Sequence, residues 1–129
     1  MHEPSTPPGL RVVELPGRGR GVAAARAFAA GDRIECAPVV VVPSADAALL
    51  RGRLLDSYWF WWDPEHRAVG LGLASLYNHG CPANARFDRD LAARVLVFTA
   101  VRPIAAGDEI TINYHGDPDD PSSVWFDLA

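Results

Sequence analysis

The sequence contains no lysine, so all 12 of its basic residues are arginines, and its 16 acidic residues leave a formal net charge of −4. Proteins that coat nucleic acid normally carry a basic excess, so this balance argues against direct nucleic-acid binding. After Arg102 the chain holds six acidic residues and no arginine. This acidic quarter favours a cationic partner, or alternatively serves only as a solubilising tail.

Cysteines and long apolar runs are also scarce. Two cysteines, Cys36 and Cys81, are too few for a disulfide scaffold or a Cys-rich zinc cluster, so we expect a reducing compartment and no metal site. The longest apolar runs, 39–42 and 58–62, are far shorter than the ~20 residues of a membrane span, and residues 1–10 lack the apolar segment of a signal peptide. We therefore expect a cytoplasmic protein without a membrane partner.

A chain of 129 residues with 49% hydrophobic content predicts one compact domain. Its three prolines give residues 1–9 the character of a flexible tail. Short β-type segments then alternate with glycine, proline and aspartate, at 10–15, 21–27, 33–37, 39–42, 58–62, 68–71, 94–99 and 109–112. A helix capped by Ser44 and running to Leu55, and a helical turn at 73–77, complete a mostly β (α+β) class.

The frame Arg-x-x-Ala-Ala-Gly-Asp-x-Ile occurs twice, starting at Arg26 and at Arg102. It is too short to be a repeat unit. In each copy glycine permits a backbone conformation that other residues resist, and aspartate offers a local hydrogen-bond acceptor. The two copies therefore predict two similar turns before strands.

Three segments contain residues that could take part in catalysis or ligand binding: 17–22 (GRGRGV), 76–84 (LYNHGCPAN) and 107–115 (GDEITINYH). The first is either a glycine turn or a small RNA-binding patch, because its spacing does not match the dinucleotide-binding fingerprint. In the second, metal binding or a Cys81 nucleophile lacks supporting spacing, whereas buried Asn and His side chains need polar partners or a ligand. The third places a phenol, Tyr114, at the end of a strand.

Taken in order, these segments resemble the motifs of the SET-domain family of protein lysine methyltransferases. Residues 19–22 are similar to the family's GxG segment, residues 78–84 to its NHSCxPN motif, and residues 107–114 to its GEELxxxY motif. The resemblance covers 10–114 and implies a β-clip-like fold of several small sheets with a C-terminal pseudoknot. Gly80, Pro82-Ala83 and Ile112 depart from the usual pattern, and no cysteine-rich post-SET zinc module follows Tyr114.

The resemblance implies S-adenosylmethionine as the cofactor and assigns roles to individual residues. It divides the chain into the tail, a SET domain at 10–116, and a segment at 117–129 that covers the active site. Tyr114 would orient the lysine amine; an ordinary phenol, with a pKa of about 10, is mostly protonated at neutral pH and is a poor base. The remaining residues form the cofactor site (Gly19, Arg20, Gly21, Asn78 and His79) and the substrate channel (Tyr58, Tyr77, Ile112, Trp125 and Phe126).

The acidic C-terminal quarter predicts a basic protein or peptide as the substrate. Two other interpretations stay open at this point: a catalytically inert SET-fold module that binds peptides, and a small RNA-binding β protein using residues 17–21. For residues 58–62 a mainly structural strand is the alternative to a channel wall. Exposed edge strands in so small a domain would also be consistent with a homodimer.

Overall fold

The computed structural model of the chain describes residues 6–17 and 19–122. Within these residues nine strands form two sheets and three short helical segments connect them. The strands, in chain order, are β1 (Leu10–Leu15), β2 (Gly19–Ala24), β3 (Arg33–Pro43), β4 (Trp59–Asp63), β5 (His66–Gly70), β6 (Asn78–His79), β7 (Ala85–Asp90), β8 (Val95–Ala100) and β9 (Glu109–Ile112). The mostly β class and the several small sheets expected from the sequence are confirmed.

Each sheet mixes strands that are distant in sequence. The first sheet has the order β1-β2-β9-β6, with β9 antiparallel to β2 and parallel to β6. The second has the order β4-β5-β3-β8-β7, and each adjacent pair of strands is antiparallel. Strand β9 therefore brings the C-terminal motif beside both N-terminal glycines and the central Asn-His pair.

The helical content is smaller than the sequence predicts. Helix α1 spans only Ser44–Ala48, and two 3₁₀ turns follow at Leu54–Tyr58 and Ala74–Leu76. The predicted helix to Leu55 is wrong because Gly52 adopts a φ of +77°, which ends any regular helix there. Ser44 is also the first helical residue instead of the cap, and its hydroxyl accepts a hydrogen bond from Arg67 at 3.2 Å.

Two strand predictions were also incomplete. The segments 33–37 and 39–42 form one eleven-residue strand, β3, that continues through Pro38. Strands β6 and β7 were not predicted, because β6 is two residues long and β7 carries charged residues at alternate exposed positions. The other predicted strands are present with bounds shifted by up to three residues.

The repeated sequence frame folds into two matching turns. Asp32 accepts a hydrogen bond from the amide of Ala29 at 2.9 Å, and Asp108 accepts one from the amide of Ala105 at 3.2 Å. The preceding glycines, Gly31 and Gly107, have φ values of +91° and +93°. The roles predicted for glycine and aspartate are thus confirmed. An antiparallel bridge also joins the two copies.

The core lies between the sheets and is closed mainly by aliphatic and aromatic side chains. Tyr77 and Phe98 are fully buried with ring centroids 4.5 Å apart, and Phe60 meets Phe87 edge-to-face at 5.2 Å. Such pairs add to the roughly 25 cal/mol gained per Å² of apolar surface buried. This aromatic layer forms one wall of the candidate site.

Strand β9 and the chain after it are hydrogen-bonded to the loop that follows β6. The Asn84 side chain accepts from the Thr111 amide at 2.9 Å and donates to the Glu109 carbonyl at 2.9 Å. The Gly80 amide donates to the Ile112 carbonyl, and the Ala83 amide donates to the Pro118 carbonyl, each at 2.9 Å. These bonds hold the C-terminal segment against the Asn-His loop, where the resemblance places the pseudoknot.

The described part of the predicted tail contacts the domain. The Leu10 amide donates to the Pro7 carbonyl at 3.2 Å, and the Ala25 amide donates to the Gly9 carbonyl at 2.8 Å. Residues 1–5 lie outside the described residues. Among the helices of residues 6–17 and 19–122, none has the length and apolar character needed to cross a membrane.

Candidate active site

The parallel pairing of β6 with β9 brings His79 beside Tyr114. Asn78 lies opposite Thr111, and His79 lies opposite Ile112. The Tyr114 amide donates to Nδ1 of His79 at 3.1 Å, and the two rings meet edge-to-face at 5.2 Å. His79 is almost fully buried, so the start of the segment after β9 has a fixed position.

The hydroxyl of Tyr114 is also fixed by a hydrogen bond. It donates to the main-chain carbonyl of Tyr77 at 2.8 Å, across 37 positions in the sequence. Because its proton is directed at that carbonyl, the phenol oxygen can act toward another group as a hydrogen-bond acceptor. Tyr114 is half-buried and lines the cavity described next.

A cavity of about 490 Å³ opens next to Tyr114. It is within the size range of small-ligand sites in proteins. Half of the residues that line it are aromatic: Tyr58, Trp59, Phe60, Trp61, Tyr77, Phe87 and Tyr114. Asp88 and Arg89 also line it. The aromatic part of such a wall favours the neutral form of an amine over the ammonium through desolvation.

Strand β4 supplies much of this wall. Trp62 is buried in the core, whereas Trp61 is 52% exposed and Tyr58 is 40% exposed. The guanidinium of Arg89 stacks over the Trp61 ring at 4.7 Å and donates a hydrogen bond to the Trp62 carbonyl. The segment is thus both a structural strand and a cavity wall, so the two interpretations of residues 58–62 do not exclude each other.

Of the predicted channel residues other than Tyr58, Tyr77 lines the cavity, Ile112 lies in the core, and Trp125 and Phe126 lie outside the described residues. Tyr77 lines the cavity, but it is buried and its hydroxyl donates to Oε1 of Glu35 at 2.7 Å. Burial raises the pKa of Tyr77 above its usual value, and the Glu35 carboxylate raises it further. Ile112 packs in the core and is not among the residues that line the cavity. Trp125 and Phe126 lie outside the described residues.

The predicted cofactor glycines lie beside Asn78. The Asn78 amide group donates to the Arg20 carbonyl at 3.2 Å and to Oε2 of Glu109 at 2.8 Å. A Cβ atom on Gly21 would lie 2.7 Å from Nδ2 of Asn78, so a larger residue there would displace the Asn78 side chain. Gly19 has a φ of +73°, and among the described residues beyond its chain neighbours no heavy atom lies within 4 Å of where its Cβ would be.

These residues suit a ligand with the groups of S-adenosylmethionine. The Gly19 backbone is open to approach, the Asn78 amide supplies polar atoms, and the Glu109 carboxylate has the sign that attracts a cation. Arg20 directs its guanidinium at Glu14 at 3.5 Å, in an exposed ion pair. The His79 ring is turned toward Tyr114, so a cofactor contact from this residue would come from its remaining atoms.

Acidic residues follow the last cavity-lining residues in the sequence. His115 and Gly116 line the cavity, and Asp117, Asp119 and Asp120 come directly after them. Hydrogen bonds from Ser122 lower the pKa of Asp120. The Arg102 guanidinium lies 3.3 Å from Asp119 and ties this loop to the domain.

Metal and thiol chemistry find no support in the described part of the chain. In residues 6–17 and 19–122, no group of three or more His, Cys, Asp or Glu side chains is arranged to hold a metal ion. Cys36 and Cys81 are exposed thiols and neither lines the cavity.

Three contributors to this site, Glu35, Phe87 and Arg89, were not predicted from the sequence. Glu35 interrupts an apolar strand, and that isolated charge was the available signal for a buried role. Phe87 and Arg89 reach the cavity from β7, where the alternation of Ala85, Phe87 and Arg89 was concealed by the intervening charges.

Comparison with known proteins identifies the family and the fold. The family model of the SET domain matches residues 19–115, and the chain belongs to the SET-domain family. It is an S-adenosylmethionine-dependent protein-lysine N-methyltransferase, as the motif resemblance implied.

Two relatives illustrate the similarity. A Schizosaccharomyces pombe histone-lysine N-methyltransferase, specific for lysine 37 of histone H3, is 28% identical over 120 residues, covering 92% of this chain and 77% of the relative. The crystal structure of a Plasmodium falciparum protein assigned as a histone methyltransferase superposes with a TM-score of 0.68 at 23% identity. That match covers 82% of this chain and 92% of the other, and it shows the same fold.

Proposed function

We propose that the aromatic cavity receives the target lysine of a basic protein segment and that Tyr114 is the catalytic residue. The observation that carries this proposal is the double anchoring of Tyr114, whose amide is bonded to His79 and whose hydroxyl is bonded to the Tyr77 carbonyl. A phenol held at both ends beside an aromatic cavity can align an amine that enters it. Gly19, Gly21 and Asn78 would hold the cofactor.

The chemistry requires little more than alignment and a neutral amine. When bound, S-adenosylmethionine supplies a methyl group on a positively charged sulfur. The lysine would first lose one proton to solvent, so that its nitrogen lone pair could take the methyl group as the bond from carbon to sulfur breaks and its electron pair stays on sulfur. The aromatic walls favour the neutral amine by desolvation, and the Tyr114 oxygen accepts an N–H hydrogen bond that orients the lone pair.

The proposed substrate is a flexible, basic segment such as a histone-like tail. The acidic loop at 117–120 directly follows the cavity-lining Gly116, and the S. pombe relative acts on a histone. Charges of opposite sign across such an interface speed association and are screened by salt.

Incubation with labelled S-adenosylmethionine and a set of basic and neutral lysine peptides tests the function. We expect transfer to basic peptides that declines with added salt. Because the chain has no lysine, it cannot contribute label on its own lysines. Labelling of a neutral peptide with no salt dependence would contradict the proposed substrate class, and no labelling of any peptide or of a cell lysate would contradict the activity.

Charge-removing variants locate the substrate contact. Asp117→Asn, Asp119→Asn and Asp120→Asn together keep side-chain oxygens that accept the loop hydrogen bonds but remove three negative charges. We expect a higher KM for basic peptides and a weaker salt dependence. A matched control carries Asp32→Asn, Asp46→Asn and Glu65→Gln, away from the cavity, and equal effects in both variants would exclude the loop as the contact.

We also propose that the segment at 117–129 closes the lysine channel. Ser122, the last described residue, accepts a hydrogen bond at its carbonyl from the cavity-lining His115 at 3.2 Å. Trp125 and Phe126 follow within four residues. Deletion of residues 123–129 is expected to lower methyl transfer while cofactor affinity and folding are kept. Lower thermal stability with normal activity at low temperature would contradict the proposal.

A further inference from the structure

Glu35 is a buried carboxylate with two hydrogen-bond donors. It is 6% exposed, its Oε1 accepts from the Tyr77 hydroxyl at 2.7 Å, and its Oε2 accepts from the Leu73 amide at 3.0 Å. Burying a carboxylate is costly unless hydrogen bonds compensate it. The cost is met here by bonds to one short segment, the turn between β5 and β6.

Strand β3 departs from regular pairing to place this carboxylate inside. Its register against β8 shifts between Arg33 and Glu35, and the adjacent residues Ile34 and Glu35 are both buried. In a regular strand neighbouring side chains point to opposite faces, so only one of them would face the core. A β-bulge re-aims a side chain in this way, and such bulges are frequent near active sites.

The turn that receives Glu35 is shaped around it. Gly72 has a φ of +59°, and a Cβ on this residue would lie 2.5 Å from Oε2 of Glu35. The absent side chain leaves the space that the carboxylate oxygen occupies. The bulge and the glycine lie on different elements, and both favour the same placement of one charged group.

The hydrogen bonds of Glu35 connect through Tyr77 to Tyr114. The residue whose hydroxyl is bonded to Glu35, Tyr77, also provides the carbonyl that accepts the Tyr114 hydroxyl at 2.8 Å. We propose that Glu35 is a positioning residue for methyl transfer: by holding Leu73 and Tyr77 it fixes the carbonyl that orients the Tyr114 hydroxyl. This inference rests on the proposed catalytic role of Tyr114.

Tyr77→Phe tests the link without removing the carbonyl or the aromatic ring. We expect kcat to fall roughly tenfold, because small displacements of an aligning group cost large factors in rate. The affinity for S-adenosylmethionine, measured by calorimetry, should change by less than about twofold, since the amide of Asn78 is untouched. Glu35→Ala removes both acceptors, for the Tyr77 hydroxyl and for the Leu73 amide, and is expected to give the same split.

A destabilised control separates positioning from stability. Ile104→Val removes one methylene from a buried residue that does not line the cavity, and we expect a lower Tm with unchanged kcat at low temperature. If Tyr77→Phe keeps the kcat of the wild type or of this control, the inference is overturned. A parallel loss of cofactor affinity would also overturn it, because a general loosening of the domain would then explain the rate.

The Tyr114→Phe background distinguishes failure of the inference from failure of the proposed function. Adding Tyr77→Phe to Tyr114→Phe should lower kcat no further if the first change acts only through the Tyr114 hydroxyl. A further roughly tenfold fall would contradict the inference alone. Wild-type kcat in Tyr114→Phe itself would contradict the proposed function.

Discussion

The amide of Tyr114 donates a hydrogen bond to Nδ1 of the buried His79 over 3.1 Å. A backbone N–H is always a donor, so Nδ1 is the acceptor and the proton of the neutral imidazole lies on Nε2. The bond joins residues 35 positions apart, in two motifs that the sequence shows only as separate segments. It determines where the chain leaves β9 and hence where the Tyr114 ring begins.

Removing the acceptor should therefore cost both stability and activity. His79→Leu leaves the Tyr114 amide without this bond, and we expect a loss of ~1–3 kcal/mol in the free energy of unfolding and slower methyl transfer. His79→Asn can place an amide oxygen near the position of Nδ1 and should recover part of both. Urea denaturation and a transfer assay measure these effects. Equal stability of the Leu and Asn variants would show that the bond contributes little.

Asn78 should control cofactor affinity. Asn78→Ala removes the amide that contacts Arg20 and Glu109, and we expect cofactor binding to weaken by ~1–3 kcal/mol with folding intact. The matched control is Ser75→Ala, which removes a polar group from the aromatic cavity and should leave cofactor affinity unchanged. Calorimetry with S-adenosylmethionine provides the comparison. Unchanged affinity in Asn78→Ala would show that the cofactor does not contact this residue.

Alkaline pH should destabilise the wild type more than Tyr77→Phe. Burial and the Glu35 carboxylate raise the pKa of Tyr77, so its contribution to stability is complete below the unfolded pKa of about 10 and is lost as the pH rises beyond that value. At pH 11 the tyrosine ionises more readily in the unfolded chain than in the folded one, which lowers the free energy of unfolding by about 1 kcal/mol.

The absence of lysine simplifies the interpretation of this pH dependence. Tyr58 and Tyr114 and both cysteines are common to the two proteins, and no lysine titrates in this range. Urea denaturation of each protein at pH 8 and pH 11 gives the difference. An identical pH dependence in wild type and Tyr77→Phe would show that Tyr77 ionises as readily in the folded state as in the unfolded state.

Local patterns were sufficient to predict the class and most strands. The two Gly-Asp turns could be foreseen because each depends on residues within four positions of each other. Helix α1 was overestimated because apolar spacing alone suggested a longer helix, while Leu49 and Leu54 are in fact 81% and 77% exposed. Because those leucines are exposed, their burial does not stabilise a longer helix, and the positive φ of Gly52 is incompatible with one.

The site needed long-range contacts that one sequence does not display. Motif order placed Asn78, His79 and Tyr114 together, but the Tyr77 carbonyl and the Glu35 carboxylate enter through pairings 37 to 42 positions apart. Tyr77 was predicted as a channel aromatic because aromatic rings suit a lysine. The structure uses its backbone oxygen and its hydroxyl, which residue type alone does not reveal.

The proposed catalytic role rests most on the Tyr114 hydroxyl, and Tyr114→Phe tests that role directly. The change leaves the amide bond to His79 and the aromatic ring in place and removes only the oxygen that is bonded to Tyr77. Methyl transfer to a basic peptide and S-adenosylmethionine affinity are measured on the same preparation. We predict loss of most of the transfer rate with nearly unchanged cofactor affinity; a near-wild-type rate would contradict the assignment of Tyr114 as the catalytic residue.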